Sequence, residues 1–426
     1  MTTLSLGIDI GTSGVRTAVL DEIGAVVATA RAPHVPQDLA RIDAMGWWQA
    51  VKDCLKAQFA ALDALGFQPG DIARIGVDGT SGTMVLTDSD LRPVTRALMY
   101  NSAGFDAEAA VIARHAPDVH ITKGANSALA RALRLQAEDT ACKAVHLLHQ
   151  ADFITAHLLG RGGVSDDNNA LKTGYDPETK AWPAWFADTG LNVDLLPTPV
   201  AAGAHIGPIS PGIAQKLGLS ADTQIHAGTT DSIAAFLAAA PLKLGAAVTS
   251  LGTTLAIKIL SETRVDDPSV GLYSHRLGDF WLAGGASNTG GGVLAALFSA
   301  EQLAALSNEI DPTKQSPLDY YPLLKPGERF PINDPDHAPR MTPRPDDDVT
   351  FLHGLLESIA RIEKQCYDSI AAQGGALPTV LFTAGGGAQN AVWTAMRSRV
   401  LGMPLQKADQ TEASVGIARL IMHDAL

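Results

Sequence analysis

Hydrophobic and polar positions alternate over residues 4–32, which is typical of half-buried β-strands. Glycine-containing turns interrupt the alternation at Gly11–Gly14 and Glu22–Gly24, so the segment predicts a three-stranded meander. Hydrophobic residues then recur at helical spacing from Trp47 to Leu62, after Asp43 as a capping residue. The chain therefore begins with a small sheet followed by an amphipathic helix.

The same kind of pattern continues along the chain and predicts a mixed α/β protein. Strands are predicted at residues 72–78, 84–87, 97–100, 281–285 and 379–383, a hairpin at 246–260, and helices over most of 105–159 and at 350–373, 391–400 and 411–423. The hairpin turn Gly252-Thr253-Thr254 resembles the turn Gly11-Thr12-Ser13 about half a chain earlier. The similarity is consistent with an internal duplication or with chance, because Gly-Thr is a common turn pair.

The length and the net charge of the chain exclude some classes of protein. With 426 residues the chain is long enough for two or three domains. It has 32 basic and 45 acidic side chains, a formal charge of −13, so nucleic acid is not expected as a partner. The three cysteines are widely spaced and indicate neither disulfides nor zinc. We expect a cytoplasmic protein with no membrane partner, because neither a signal peptide nor a long apolar run is present.

A first chemical signal is a strand that ends in a carboxylate and runs into a turn of small residues. Asp9 closes the strand, and Gly11, Thr12 and Ser13 follow it. Backbone N–H groups of a glycine turn bind anions, hydroxyl groups add donors, and a carboxylate can hold Mg²⁺ or its waters beside phosphates. The pattern indicates a phosphate site, and an ordinary hairpin with an acidic end is the alternative.

Two further signals each have a structural and a functional interpretation. Asp231 follows Gly228-Thr229-Thr230 at the start of a predicted helix, where an acid is either a helix cap or a general base. Gly385, Gly386, Gly387 and Asn390 lie between a strand and a helix. Such a turn either just reverses the chain or lets a flat ring lie on the backbone. The P-loop pattern, a dinucleotide GxGxxG with its acid, GxSxG and HExxH are all absent from the sequence.

Taken together, these motifs resemble those of the FGGY carbohydrate kinases, of the actin-like ATPase superfamily, over most of the chain. GIDIGTSGVRTAV resembles the first phosphate motif, AGTTDS the second, TSLGTT the hairpin beside it and TAGGGAQNAVWTAM the adenosine motif. The resemblance implies an α/β fold of two ribonuclease-H-like domains with the active site in the cleft between them. It implies a sugar-binding domain over residues 1–222 and an ATP-binding domain over 223–426.

The resemblance also implies roles for individual residues. Asp231 becomes the general base and a sugar contact, and Asp9 the Mg²⁺ residue. The nucleotide is assigned to the following residues: Gly11, Thr12, Ser13, Gly252, Thr253, Gly385, Gly386, Gly387 and Asn390. ATP and Mg²⁺ are thus the expected cofactors, and a small sugar is the expected partner.

The segment VDGTSGT at residues 77–83 resembles a compact pentulose-kinase branch, which implies D-ribulose as the preferred substrate and D-xylulose as the next. Larger relatives carry Trp-Asn-Asp-x-Arg where this chain has Tyr100-Asn101-Ser102-Ala103-Gly104. Ser81 and Asn101 remain as the expected sugar contacts. Without that Asp and Arg, a sugar-sensing or weakly ATP-hydrolysing pseudokinase stays open as an alternative, as does a homodimer.

Overall fold

The computed structural model describes residues 3–38 and 40–422. The β-strands in chain order are β1 Leu4–Ile10, β2 Gly14–Leu20, β3 Val26–Pro33, β4 Ile72–Gly79, β5 Met84–Thr87, β6 His146–His149, β7 Val164–Asp166, β8 Thr198–Val200, β9 His205–Pro208, β10 Gln224–His226, β11 Thr229–Thr230, β12 Ala246–Leu251, β13 Leu255–Ser261, β14 Tyr273–Leu277, β15 Phe280–Ser287, β16 Val380–Ala384 and β17 Leu405–Lys407. The α-helices are α1 Met45–Asp63, α2 Asp106–His115, α3 Ala128–Glu138, α4 Gln150–Leu159, α5 Asp167–Thr173, α6 Pro211–Leu217, α7 Asp231–Ala239, α8 Gly291–Leu297, α9 Ala300–Glu309, α10 Asp348–Ala372, α11 Ala391–Leu401 and α12 Ala413–Leu420.

The chain folds into two compact units. The first extends to Ala238 and also includes Arg276–Gly278 and the segment from Gln410, whereas the second comprises Ala239–His275 and Asp279–Asp409. Helix α12, near the end of the chain, contacts β1, β2 and β4 and so packs within the first unit. The division into residues 1–222 and 223–426 remains a prediction.

The first unit is built on a sheet with the strand order β3-β2-β1-β4-β10-β9, and β11 pairs with β4 beyond β10. The predicted meander is confirmed, because β1, β2 and β3 pair in antiparallel fashion. β4 then lies parallel to β1. Every residue of β1 is buried, since helices cover both faces of the sheet. Its large side chains pack in the main core, whereas Gly7 faces the backbone of α12 at Ser414.

The second unit has a sheet with the strand order β14-β15-β13-β12-β16-β17. β12 and β13 form the predicted hairpin, and β16 runs parallel to β12. The order β15-β13-β12-β16-β17 therefore matches β3-β2-β1-β4-β10 of the first unit. This repeated connectivity agrees with the internal duplication that the two Gly-Thr turns suggest.

Helix α10 provides much of the core of the second unit. Asp347 caps it, because its side chain accepts hydrogen bonds from the backbone N–H groups of Val349 and Thr350. Leucine, isoleucine and aromatic side chains at helical spacing cover the sheet, among them Leu355 and Ile359, both fully buried. The long amphipathic helix predicted for this segment is confirmed.

One prediction of local structure was wrong. Residues 97–100 do not form a strand, because Ala97 and Leu98 make only isolated bridges, to Ile42 and Met84. The region predicted as mostly helical contains α2, α3 and α4, and the prediction omits β6, which pairs antiparallel with β5. Among the described residues, no helix is long and apolar enough to cross a membrane.

Candidate active site

Three strand ends bring polar side chains together in the first unit. Asp9 of β1 pairs in register with Asp78 of β4, and Asp78 pairs in register with Thr229 of β11, so the three side chains share one face of the sheet. Asp231 begins α7 directly after β11. Because these strands are parallel, their carboxyl ends lie at the same edge, the usual place for a ligand in such sheets.

Asp78 is the most buried member of this group. It is fully buried, and no N–H or hydroxyl group of the described residues bonds to either of its carboxyl oxygens. The carboxyl group of Asp9 lies beside it, in register on the neighbouring strand. Burial raises the pKa of Asp78 well above its usual value, and the charges of Asp9 and Asp231 raise it further. The neutral form of Asp78 is therefore favoured over the ionised form.

Asp9 is also buried, with 5% of its surface exposed. Burial raises its pKa, whereas the contact with Asp78 and the charge of Arg16 lower it. Nη1 of Arg16 donates to Oδ2 of Asp9 over 3.3 Å. The net result is a raised pKa for Asp9, and the Arg16 cation is the neighbour that favours its ionised form.

The turn after β1 is exposed and well braced. Gly11 N–H donates to the carbonyl oxygen of Gly14, and the carbonyl oxygen of Gly11 contacts Nε2 of His34 at 2.9 Å. Thr12 and Ser13 are exposed at its tip. The turn thus presents two hydroxyl groups to solvent from a fixed backbone.

Hydrogen bonds join the turn that contains Ser81 to the segment that contains Asn101. Thr80 Oγ1 donates to Oε1 of Gln150 over 2.7 Å and lies 2.7 Å from Oγ1 of Thr83, which accepts from the backbone N–H of Tyr100. Ser81 lies within this turn, and its Oγ is occluded and has no partner among the described residues. Asn101 follows Tyr100 and is exposed.

Arg131 of α3 links the same two segments. Its Nε donates to the carbonyl oxygen of Gly82 over 2.9 Å. Its Nη1 donates to the carbonyl oxygens of Tyr100 and Asn126 over 3.1 and 3.0 Å. The side chain is 3% exposed, and burial lowers its pKa to about 10. Arg131 is thus a buried cation whose bonding partners are backbone carbonyl groups.

The second unit contains a cavity of about 800 Å³ at the ends of β12 and β16. Apolar side chains and glycines make up most of its wall, which also includes several of the residues predicted to bind the nucleotide. Of those residues, Gly252, Thr253, Gly386, Gly387 and Asn390 line the cavity. Gly385 precedes them in the turn, with φ +82°. An apolar cavity with glycine backbone at its wall suits a flat aromatic ring and a phosphate chain.

Hydrogen bonds fix the loops around this cavity. The N–H groups of Gly291 and Gly292, at the start of α8, donate to the carbonyl oxygens of Gly252 and Thr253. Asn390 caps α11 through Oδ1, which accepts from Trp393 N–H, and its Nδ2 donates to Oγ of Ser307. Each end of its amide group has one further bonding position.

The predicted residues therefore form two groups. Asp9, Gly11, Thr12, Ser13, Ser81, Asn101 and Asp231 lie in the first unit, and Gly252, Thr253, Gly385, Gly386, Gly387 and Asn390 in the second. Sequence reasoning missed Asp78 and Arg131. Asp78 carries the same signal as Asp9, an acid at the end of a buried apolar strand. Arg131 carries no comparable signal, because an arginine in an amphipathic helix is ordinary.

Comparison with known families identifies the class of protein. Residues 4–238 match the FGGY family of carbohydrate kinases, N-terminal domain, and residues 247–425 match the C-terminal domain of the same family. The chain therefore belongs to the FGGY family of carbohydrate kinases, and it is an ATP-dependent sugar kinase, as the sequence motifs predict.

Individual relatives are distant, and several of them cover nearly the whole chain. The xylulose kinase of Escherichia coli (strain K12) is 24% identical over 97% of this chain and 89% of its own length. An autoinducer-2 kinase of Escherichia coli is 27% identical over 53% of this chain and 45% of its own. The structure of a xylulose kinase from Rhodospirillum rubrum superposes with a TM-score of 0.85 at 21% identity, covering 98% of this chain and 89% of that one. These similarities confirm the two-unit α/β fold.

Proposed function

We propose that this kinase phosphorylates a pentulose, with D-ribulose preferred and D-xylulose next. The observation that carries the proposal is the pair of carboxyl side chains at the ends of β1 and β4, Asp9 and Asp78, with Asp231 directly after β11 in the first turn of α7. The names of several relatives indicate a pentulose, and the turn at residues 77–83 favours D-ribulose among the pentuloses.

In the proposed reaction, Asp231 accepts the proton of a terminal sugar hydroxyl group. The oxygen forms a bond to the γ-phosphorus of ATP as the bond from that phosphorus to the β–γ bridging oxygen breaks, and ADP leaves. Hydroxyl and N–H donors of the turns at Thr12 and Thr253 stabilise the charge that builds on the phosphate oxygens. Ser81 and Asn101 hold the sugar.

Mg²⁺ fits the residues present in the first unit. No group of three or more His, Cys, Asp or Glu side chains among the described residues is placed to hold a metal ion by itself. Mg²⁺ at phosphate-transfer sites needs only one or two carboxylates, because phosphates and waters complete its shell. Asp9 is such a carboxylate, and Asp78, in register beside it on β4, is a second carboxyl group whose ionised form a bound cation would favour. When bound there, the ion would neutralise charge on the phosphates.

The decisive experiment measures ADP release from Mg-ATP with D-ribulose, D-xylulose, L-ribulose, L-xylulose, ribitol, glycerol or gluconate, and without sugar. Gluconate tests an acid sugar, because one solved structure with this fold is titled gluconate kinase. We expect strong stimulation by D-ribulose and weaker stimulation by D-xylulose. Equal slow release in every reaction, including the one without sugar, would contradict the proposal and favour the pseudokinase alternative.

A further inference from the structure

The five N–H groups of Arg131 are not all used within the protein. A guanidinium has one N–H on Nε and two on each Nη nitrogen. Nε donates to one carbonyl group and Nη1 to two, which accounts for three of the five. Within residues 3–38 and 40–422, Nη2 has no hydrogen-bond partner, and no carboxylate forms an ion pair with Arg131. Both remaining N–H groups are therefore on one nitrogen atom.

Only 3% of Arg131 is exposed, but Nη2, unlike Ser81 Oγ, is not fully occluded, so its two N–H groups can be reached from outside the protein. Burial without a counter-charge disfavours the cation, as the lowered pKa of Arg131 indicates. A cation with so little contact with water gains from an acceptor that a ligand supplies. The three carbonyl bonds account for the fixed orientation of the side chain, but they leave the Nη2 edge unexplained.

Nη2 lies beside the turn that contains Ser81. A Cβ atom on Gly82 would lie 2.8 Å from Nη2, so the bare glycine backbone leaves room for the guanidinium edge beside the turn. Gly82 also has φ +81°, which favours glycine. Its neighbour Ser81 has an occluded Oγ without a partner among the described residues. The turn thus has one occluded hydroxyl group, and the side chain that braces it has one accessible nitrogen, neither with a partner among the described residues.

We propose that Arg131 is a substrate-binding residue whose Nη2, together with Ser81 Oγ, donates hydrogen bonds to oxygen atoms of a neutral sugar. Its other three bonds position the turn at Ser81 and the segment before Asn101. Arg131 thereby takes the place of the arginine that the segment after Tyr100 lacks. This inference rests on the proposed function and adds a specificity residue to it.

Steady-state kinetics of Arg131→Gln and Arg131→Lys test the inference, with Arg134→Gln as the matched control. Arg134 lies one turn along α3 and pairs with Glu108, away from the Ser81 turn. For Arg131→Gln we expect the sugar KM to rise about tenfold or more, because two donors to the substrate are lost. Arg131→Lys should show a smaller rise, and the KM for ATP should stay within about twofold in every variant.

Several outcomes would overturn the inference. One is an unchanged sugar KM in folded Arg131→Gln, and another is an equal rise of the KM for sugar and for ATP, which would indicate a purely structural clamp. If Arg131→Gln does not melt cooperatively, it is not properly folded, and Arg131→Lys then provides the test. An unchanged sugar KM in Arg131→Lys would contradict the proposal.

A sugar-dependent melting shift separates this inference from the proposed function. If no sugar stimulates ADP release, the proposed kinase substrate fails, and the inference then requires that a neutral ketose or polyol still raises the melting temperature of the wild type but not of Arg131→Gln. A wild-type protein that no neutral sugar stabilises would overturn both.

Discussion

Gly386 and Gly387 are neighbours in the wall of the cavity at the ends of β12 and β16, yet their surroundings differ. A Cβ atom on Gly386 would meet nothing within 4 Å. A Cβ atom on Gly387 would lie 2.7 Å from Cζ3 of Trp393 and 2.8 Å from Cβ of Leu251. One position therefore borders open space in the cavity, whereas the other is packed against the core.

We expect Gly386→Leu to raise the KM for ATP by about tenfold, equivalent to about 1.4 kcal/mol of binding, because the new side chain occupies the cavity. Its unfolding free energy should change little. Gly387→Ala should instead destabilise the fold by about 1–3 kcal/mol, the usual cost of overpacking. Urea unfolding and ATP titrations measure both effects. Equal losses of stability in the two variants would contradict this account.

Asp231→Asn tests the general base. Without a proton acceptor, sugar-stimulated ADP release should fall about a hundredfold or more, while ATP binding stays largely intact. Ser232→Ala is the control, because this exposed side chain is adjacent and only its backbone N–H bonds to Asp231. Near-normal turnover in Asp231→Asn would exclude the assigned role.

At the residue scale, sequence reasoning works where chemistry and chain position coincide. Asp9 and Asp231 stand beside glycines or hydroxyl residues at predicted element ends, so their types and places both point to a site. Arg131 could not be found in this way, because its carbonyl partners lie 49, 31 and 5 residues away in sequence. Those distances are set by packing of α3 and not by any local pattern.

At the scale of elements, a buried ion pair joins β12 and β16, the two strands whose ends border the cavity of the second unit. Arg397 of α11 and Glu363 of α10 are both fully buried and share two hydrogen bonds, of 2.6 and 2.7 Å. Thr249 of β12 donates to Glu363, and Arg397 donates to Thr383 of β16. The pair therefore ties both helices to neighbouring strands.

Arg397→Met should lower the unfolding free energy by about 3–5 kcal/mol, because Glu363 is left buried without a cation. Adding Glu363→Leu to the same protein should recover most of that loss, since no buried charge then remains. Urea unfolding of the wild type, the single and the double variant gives the comparison. A double variant as unstable as the single one would contradict the explanation.

Periodicity predicted the elements whose pattern is local and missed those that depend on distant partners. The β12–β13 hairpin and α10 carry their signals within one segment. β6 does not, because its apolar residues Leu147 and Leu148 run directly into α4, and only pairing with β5 makes them a strand. Residues 97–100 have the composition of a strand but lack a continuous partner.

At the scale of the whole molecule, buried carboxyl groups make stability depend on pH. Asp167, in the first turn of α5, is 8% exposed, and its Oδ1 has no partner among the described residues. Burial, and then the charge of Asp166, raise its pKa to about 8. Burial likewise raises the pKa of Asp166, to about 6, with the charge of Asp152 as the next cause.

The direction of the effect follows from proton binding. The unfolded chain loses the Asp167 proton near pH 4, whereas the folded chain keeps it until about pH 8. Between these values the folded state binds the extra proton, so the contribution of Asp167 is fully present below pH 4 and is lost as the pH rises through 8. Within this range, each rise of one pH unit lowers the unfolding free energy by about 1.4 kcal/mol because of this one proton.

Asp167→Asn should remove this slope, because an amide does not titrate. The comparison is clearest between pH 6 and 8, because the folded Asp166 is already half ionised at pH 6 and loses the rest of its proton early in that range. Urea unfolding at several pH values in that range gives the unfolding free energy as a function of pH. The slope for Asp167→Asn should be less steep than that of the wild type by about 1.4 kcal/mol per pH unit. Asp188→Asn, at an exposed carboxyl group of the same unit, should keep the wild-type slope. Parallel lines for Asp167→Asn and the wild type would mean that Asp167 is ionised in the folded protein, and that its unpaired oxygen has a partner from solvent.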